Sequence, residues 1–89
     1  MHVSHDAARK RFEVIVDDQV CELDYRDDGR TMTITHTGVP SAVGGRGIAG
    51  ALVQAAFDWA RGAKRKVVPA CSYAAQWVRK HPEFADLVA

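Results

Sequence analysis

No run of this chain approaches the ~20 consecutive apolar residues of a membrane-spanning helix, and the opening Met-His-Val-Ser-His-Asp lacks the basic and apolar regions of a secretory leader. Both absences point to a cytoplasmic chain. Cysteine is scarce: Cys21 and Cys71 are the only two, and in a reducing compartment a structural disulfide between them is disfavoured. The charge has no strong sign. A formal net charge of +1 and a pI near 7.9 give no broad electrostatic basis for a nucleic-acid or anionic-membrane partner. Any anion must therefore be captured locally. The histidines and cysteines show no spacing suited to a metal site. No internal repeat, low-complexity tract or linker divides the 89 residues. With 47% apolar and 26% charged residues, residues 1–89 read as a single domain, with about 1–10 as a flexible N-terminus.

The first half alternates with the period of strands. Phe12, Val14 and Val16 form one apolar face, and Asp17-Asp18 suits a turn. Cys21, Leu23 and Tyr25 alternate with Glu22, Asp24 and Arg26, the pattern of a half-exposed antiparallel strand. Gly29, in Asp27-Asp28-Gly29-Arg30, is available for a positive φ. A third strand runs from about Thr31 to Val39. It places Met32, Ile34 and His36 on one face and Thr31, Thr33, Thr35 and Thr37 on the other, and Pro40 ends its pairing.

The period changes at Ile48. Ile48, Ala49, Leu52, Val53, Ala56, Phe57 and Ala60 share one helical stripe, with Gly62 as terminator. Val67-Val68-Pro69 has the length of a buried strand, reached by a parallel crossover. Ser72 suits an N-cap for a second helix, Tyr73 to His81, which Pro82 stops. Phe84, Leu87 and Val88 then tuck a terminal turn onto the core.

Three glycines in four positions, Gly44-Gly45-Arg46-Gly47, immediately precede the long helix. Bare backbone there lets an anion approach the unpaired N–H groups of the first turn, where the helix dipole favours negative charge. A phosphate cradle and a simple flexible cap are the two readings. Gly45, Gly47 and Gly50 form a GxGxxG string, but the strand that follows ends Pro69-Ala70-Cys71 without the acidic residue a dinucleotide site requires. No Lys-Ser or Lys-Thr follows the last glycine, which removes a Walker-type loop.

Four blocks carry a resemblance: His36-Thr37-Gly38-Val39-Pro40, Gly44-Gly45-Arg46-Gly47-Ile48-Ala49, Pro69-Ala70-Cys71-Ser72-Tyr73 and His81-Pro82-Glu83-Phe84. In this order they resemble the small acetyltransferase-like proteins of the GCN5-related N-acetyltransferase (GNAT) superfamily, over about Phe12 to Val88. The resemblance implies an α+β, minimal GNAT-like fold: a mostly antiparallel sheet whose two central parallel strands splay apart, with a long helix after the glycine loop and a second helix after Cys71. It implies a protein that binds acetyl-CoA, or coenzyme A, and acts as an N-acetyltransferase toward an unidentified amine. The alternative is a coenzyme A-binding or protein-interaction module without turnover. Coenzyme contacts would come from Thr37, Gly38, Val39, Gly44, Gly45, Arg46, Gly47, Ile48 and Ala49. The pantetheine arm would pair near Thr37 to Val39, and the thioester would lie near Cys71. Gly44 stands where the superfamily usually has Arg or Gln, which leaves the backbone donors and Arg46. The chain lacks the elements longer members use around the acceptor, so recognition would be reduced or shared with a partner protein or second subunit.

Acetyl transfer needs a deprotonated nucleophile, a polarised carbonyl and a proton for the departing thiolate. Cys71, before a helix start, is a candidate nucleophile or a small buried thiol. Tyr73 is a candidate acid for the leaving sulfur or, paired with Trp77, a core aromatic. His36 is a packed histidine or a general base. Lys64, Arg65, Lys66, Arg79 and Lys80 are solvated charge or contacts for the coenzyme 3′-phosphate.

Overall fold

The computed structural model describes residues 1–89. The alternating segments form strands β2 (Arg11–Val16), β3 (Gln19–Asp27) and β4 (Thr31–Gly38), preceded by a short β1 (Ser4–Asp6). Helix α1 (Ile48–Ala63), strand β5 (Lys66–Pro69) and helix α2 (Ser72–Arg79) follow, with 3-10 turns at Ser41–Val43 and Pro82–Leu87. The sheet order is β1-β2-β3-β4-β5, antiparallel except for the parallel β4–β5 pair. The mixed, mostly antiparallel sheet with one helix after the glycine loop and one after Cys71 is the expected architecture. The parallel pair stands at one end of the sheet rather than in its middle, and the free side of β5 is met by the last residues of the chain, through a bridge between Val67 and Val88 and the Ala89 amide donating to the Val67 carbonyl at 2.9 Å.

Both helices cover one face of the sheet. Phe12, Val14, Cys21, Leu23, Tyr25, Met32, Ile34 and Val67 meet Leu52, Val53, Ala56, Phe57 and Ala60 of α1 in a single cluster. Trp77 of α2 joins that cluster and stacks on Phe57, ring centroids 5.6 Å apart, while Phe84 from the last turn packs against both. The other face carries Arg11, Glu13, Glu22, Asp24 and the exposed Ile15, Val20 and Val68. One helical layer on one sheet accounts for the shortest dimension of the molecule, 19 Å.

Three local expectations are corrected. The N-terminal segment is not a free tail: Ser4, His5 and Asp6 pair with Glu13, Phe12 and Arg11. His5 anchors it, stacked on Phe12 at 4.1 Å and sharing a 2.6 Å hydrogen bond with the Tyr25 hydroxyl. Gly62 does not end α1. The helix runs on to Ala63, and Lys64 takes the left-handed conformation at φ 59°. The Lys64 and Arg65 amides then close on the Arg61 and Ala60 carbonyls, a glycine-type helix end built without glycine. Its conformational cost is offset by Arg65, held by Asp27 at 2.8 Å and lying over the Trp59 ring. Ser72 is not the N-cap of α2 either. Cys71 occupies that position, extended at φ −77° and ψ 134°, and Ser72 is the first helical residue. Elsewhere, Asp17 and Asp18 (φ 49° and 61°) make the two-residue turn between β2 and β3, and Gly29 adopts φ 90°. No helix is long and apolar enough to cross a membrane.

His5 yields a pH prediction. Burial lowers its pKa below the ordinary 6.5, against a raising influence from Asp6. The unfolded chain therefore takes up this proton more readily, and folding stability contributed by His5 falls as pH drops below about 6.5. Urea midpoints measured between pH 7 and 5 should decline in the wild type, and His5→Phe, which keeps the stack on Phe12, should remove part of that decline.

Candidate functional site

The glycine loop sits where β4 hands over to α1. Its 3-10 turn is pinned by the buried Val43, and Gly45 and Gly47 both adopt φ 77°, with nothing within 4 Å of where a Cβ would stand. Left-handed backbone at both positions favours glycine. Gly47 directly precedes α1, no side chain caps the helix, and its first turn holds no acidic residue. The leading amides of α1 have no intrahelical partner by helix geometry. They border a cavity of about 260 Å³ lined by Val39, Gly44, Gly45, Gly47, Ile48, Ala49 and Tyr73. Six of the residues expected to contact a coenzyme are thus gathered there. Arg46 lies outside this lining, its guanidinium 2.9 Å from Asp17. Gly50 serves packing: a Cβ there would stand 3.4 Å from Trp77 Nε1 and from the Tyr73 hydroxyl, where α2 approaches α1.

Beyond the loop, β4 and β5 part. Their ladder runs from Thr31↔Lys66 to Ile34↔Pro69, and Thr35–Gly38 continue with no partner on that side. The last tie is the Cys71 N–H donating to the Ile34 carbonyl at 3.0 Å. A bulge in the β3–β4 pairing makes Tyr25 oppose Ile34 and Asp24 oppose His36, leaving Thr35 as an extra residue. One extra residue inverts every later side chain. Thr37, opposite Leu23, therefore turns to the helix side, where its hydroxyl lies 3.6 Å from Cys71 Sγ. His36 turns outward, so the alternation that put it with Met32 and Ile34 fails at the bulge. Its side chain is 54% exposed, with Nε2 3.5 Å from Glu22 Oε1.

Cys71 is neither fully buried nor oxidised. Burial pushes its thiol up, but the Ala74 amide, the Thr37 hydroxyl and the Tyr73 and Thr37 amides outweigh burial, so its pKa lies below the ordinary 9.0. An N-cap thiol facing the first-turn amides of a helix is the arrangement that favours thiolate. Cys21 is the opposite case: it is fully enclosed in the core, and burial, with Glu22 adding to it, raises its pKa. Tyr73 is 40% exposed at the cavity, and Trp77 is the aromatic that fills the core.

The basic residues separate by position. Lys64, Arg65 and Lys66 lie past the C-terminal end of α1, about 24 Å along the helix from the glycine loop, and Arg65 is committed to Asp27. They stand at the opposite end of α1 from the loop. Arg79 and Lys80 stand at the C-terminal end of α2, where Arg79 borders a separate cavity beside Pro69 and Val88. Glu22 and Asp17, which touch His36 and Arg46, were not singled out in the sequence, because cross-strand and loop-to-turn contacts leave no periodic signal.

Iodoacetamide at neutral pH should label Cys71 in the native protein and Cys21 only after denaturation. Thr37→Val, which removes one of the groups favouring thiolate, should slow Cys71 labelling about two- to tenfold while peptide mapping still places the label there.

The comparisons fit this geometry. A model of the family described as GCN5-related N-acetyl-transferase matches residues 11–87. Protein NATD1 of Xenopus tropicalis is 33% identical over 85 residues, spanning 92% of this chain and 78% of that protein. Protein NATD1 of Mus musculus is 33% identical over 85 residues, spanning 92% and 77%. The solution structure of a GCN5-like protein from Staphylococcus aureus superposes with a TM-score of 0.76 at 26% identity, over 99% of this chain and 87% of that one. The loop, the parted strands and these likenesses together place the chain in the GCN5-related N-acetyltransferase family.

Proposed function

We propose that this chain binds acetyl-CoA and transfers its acetyl group to a primary amine. The observation that carries the reading is the pair of side-chain-free, left-handed positions Gly45 and Gly47 beside the uncapped start of α1, opening onto the cavity that Tyr73 also lines. Backbone N–H groups there suit a diphosphate, and no side chain would obstruct its approach. The unpaired edge at Thr37, Gly38 and Val39 offers backbone groups to an amide-bearing arm, and such an arm would lead toward Cys71.

In this reading a neutral amine nitrogen attacks the thioester carbonyl, the new N–C bond forms and the C–S bond breaks. His36 takes the proton the amine loses, and Tyr73 supplies one to the departing coenzyme thiolate. The lowered thiol pKa at Cys71 favours a two-step variant: Sγ first displaces the coenzyme thiolate from the acetyl carbonyl, and the amine then displaces Sγ. Intact mass after exposure to acetyl-CoA separates the routes, because only the second leaves an acetyl group on Cys71. The location consistent with this reading is the cytoplasm, where acetyl-CoA and reduced thiols coexist.

Titration with coenzyme A, followed residue by residue by NMR, should move the amides of Gly44 to Ala49 first. Gly47→Val should weaken coenzyme binding by at least about tenfold in calorimetry, with Gly62→Ala as the matched control on the same helix. Radiolabelled acetyl-CoA mixed with a panel of amines or with cell extract should yield labelled amine. Saturable binding without labelled product would leave a coenzyme-binding module, and no binding at millimolar coenzyme would end the proposal.

A further inference from the structure

Three carboxylates stand on the open face of β2 and β3, and their partners differ. Asp24 faces Arg11 at 2.7 Å, and Glu13 faces Arg11 at 3.6 Å and Arg9 at 3.9 Å. Glu22 has one ion-pair contact, His36 Nε2 at 3.5 Å. Directly across the ladder from Glu22 is Gly38, which has no left-handed backbone to require glycine. What its missing side chain provides is room. A Cβ at position 38 would stand 2.8 Å from His36 Nε2 and 3.1 Å from Glu22 Oε1. The ring and the carboxylate therefore meet in the space that any other residue would fill.

The same strand edge borders the parting of β4 and β5, and the bulge at Thr35 brings the pair to its open side while Thr37 and Cys71 line the helix side. The geometry points to Glu22 as the positioning residue for His36 in acetyl transfer, acting through the imidazole rather than on substrate. This rests on the reading of His36 as the base. A carboxylate facing Nε2 holds the ring in one orientation and favours a proton on that nitrogen. Nδ1 then carries the lone pair. When Nδ1 takes the proton from the amine, the carboxylate keeps the ring in the orientation that presents that nitrogen.

The test combines a readout of the ring with one of turnover. In the wild type, NOEs should join the His36 ring protons to the Gly38 Hα protons, and three-bond couplings should report one χ1 rotamer. Glu22→Leu should remove those NOEs and average the rotamers. Gly38→Ala, whose Cβ would crowd both His36 Nε2 and Glu22 Oε1, should displace the ring as well. With an amine that the wild type labels as acceptor, Glu22→Leu should lower kcat about tenfold or more at unchanged coenzyme affinity, and should cost nothing further in a His36→Ala background. Persistence of the NOEs and the single rotamer in Glu22→Leu overturns the inference, as does wild-type kcat in that variant or an equal loss with and without His36. If the ring is freed but the wild type transfers no acetyl to any of a panel of amines or in cell extract, the transfer reading fails while the hold of Glu22 on His36 stands.

Discussion

One hydrogen bond marks the point on which the site depends: the Cys71 amide donating to the Ile34 carbonyl, after which β4 and β5 no longer touch as a ladder. The parting has local causes. β5 is four residues long and ends in Pro69, which has no N–H to continue the parallel pattern. The chain then turns, Ala70 N–H reaching the Val68 carbonyl, and enters α2 at Cys71. β4 meanwhile remains paired with β3 as far as Gly38, so one wall of the wedge is held rigid by the sheet and the other is a helix start. A bulge within the rigid wall then decides which side chains face which way.

The wedge is open without being loose because the core lies beside it. Ile34, Ile48, Leu52 and Val53 are enclosed, and Val43 ties the loop to the same cluster. A chain this short buries only about 60–65% of the surface its unfolded form exposes, so few contacts are spare. The aromatic groups take a large share: Phe57, Trp77 and Phe84 lock both helices and the last turn together, while His5, Phe12, Tyr25 and Trp59 close the opposite end. Each aromatic buries more area per residue than an aliphatic side chain. That makes a single helical layer sufficient, and it leaves the far face of the sheet open beside the wedge.

Strand and helix identities from Phe12 to Val78 were legible, because period-two and period-3.6 patterns directly reflect which face is buried. The loop was legible for a different reason: left-handed backbone at Gly45 and Gly47 demands a residue type that composition reveals. What escaped were features set by contacts between distant residues. β1 is three residues long and owes its place to a ring stacked on Phe12. The bulge leaves no mark in the alternation of Thr and apolar residues, so His36 was assigned to the wrong face and Thr37 with it. Lys64 replaces Gly62 as the helix-ending residue because Arg65, committed to Asp27 and Trp59, fixes the chain just past the turn. Tyr73 and Trp77 share a helical stripe in sequence, yet the close approach at Gly50 admits only one of them to the core.

The glycine loop also explains how a site without the usual long polar side chain at position 44 could still serve an anion in the proposed role. Its backbone donors are presented by geometry that costs nothing at glycine, whereas its one cation, Arg46, already has a partner in Asp17. Both side chains of that pair are about half exposed or more, and exposed pairs of this kind contribute about 0–1 kcal/mol. A diphosphate arriving at the loop would therefore exchange Asp17 for a stronger acceptor at little cost. The amides, fixed by the helix, would set where the anion sits, and Arg46, free to swing between Asp17 and phosphate, would add affinity without dictating position.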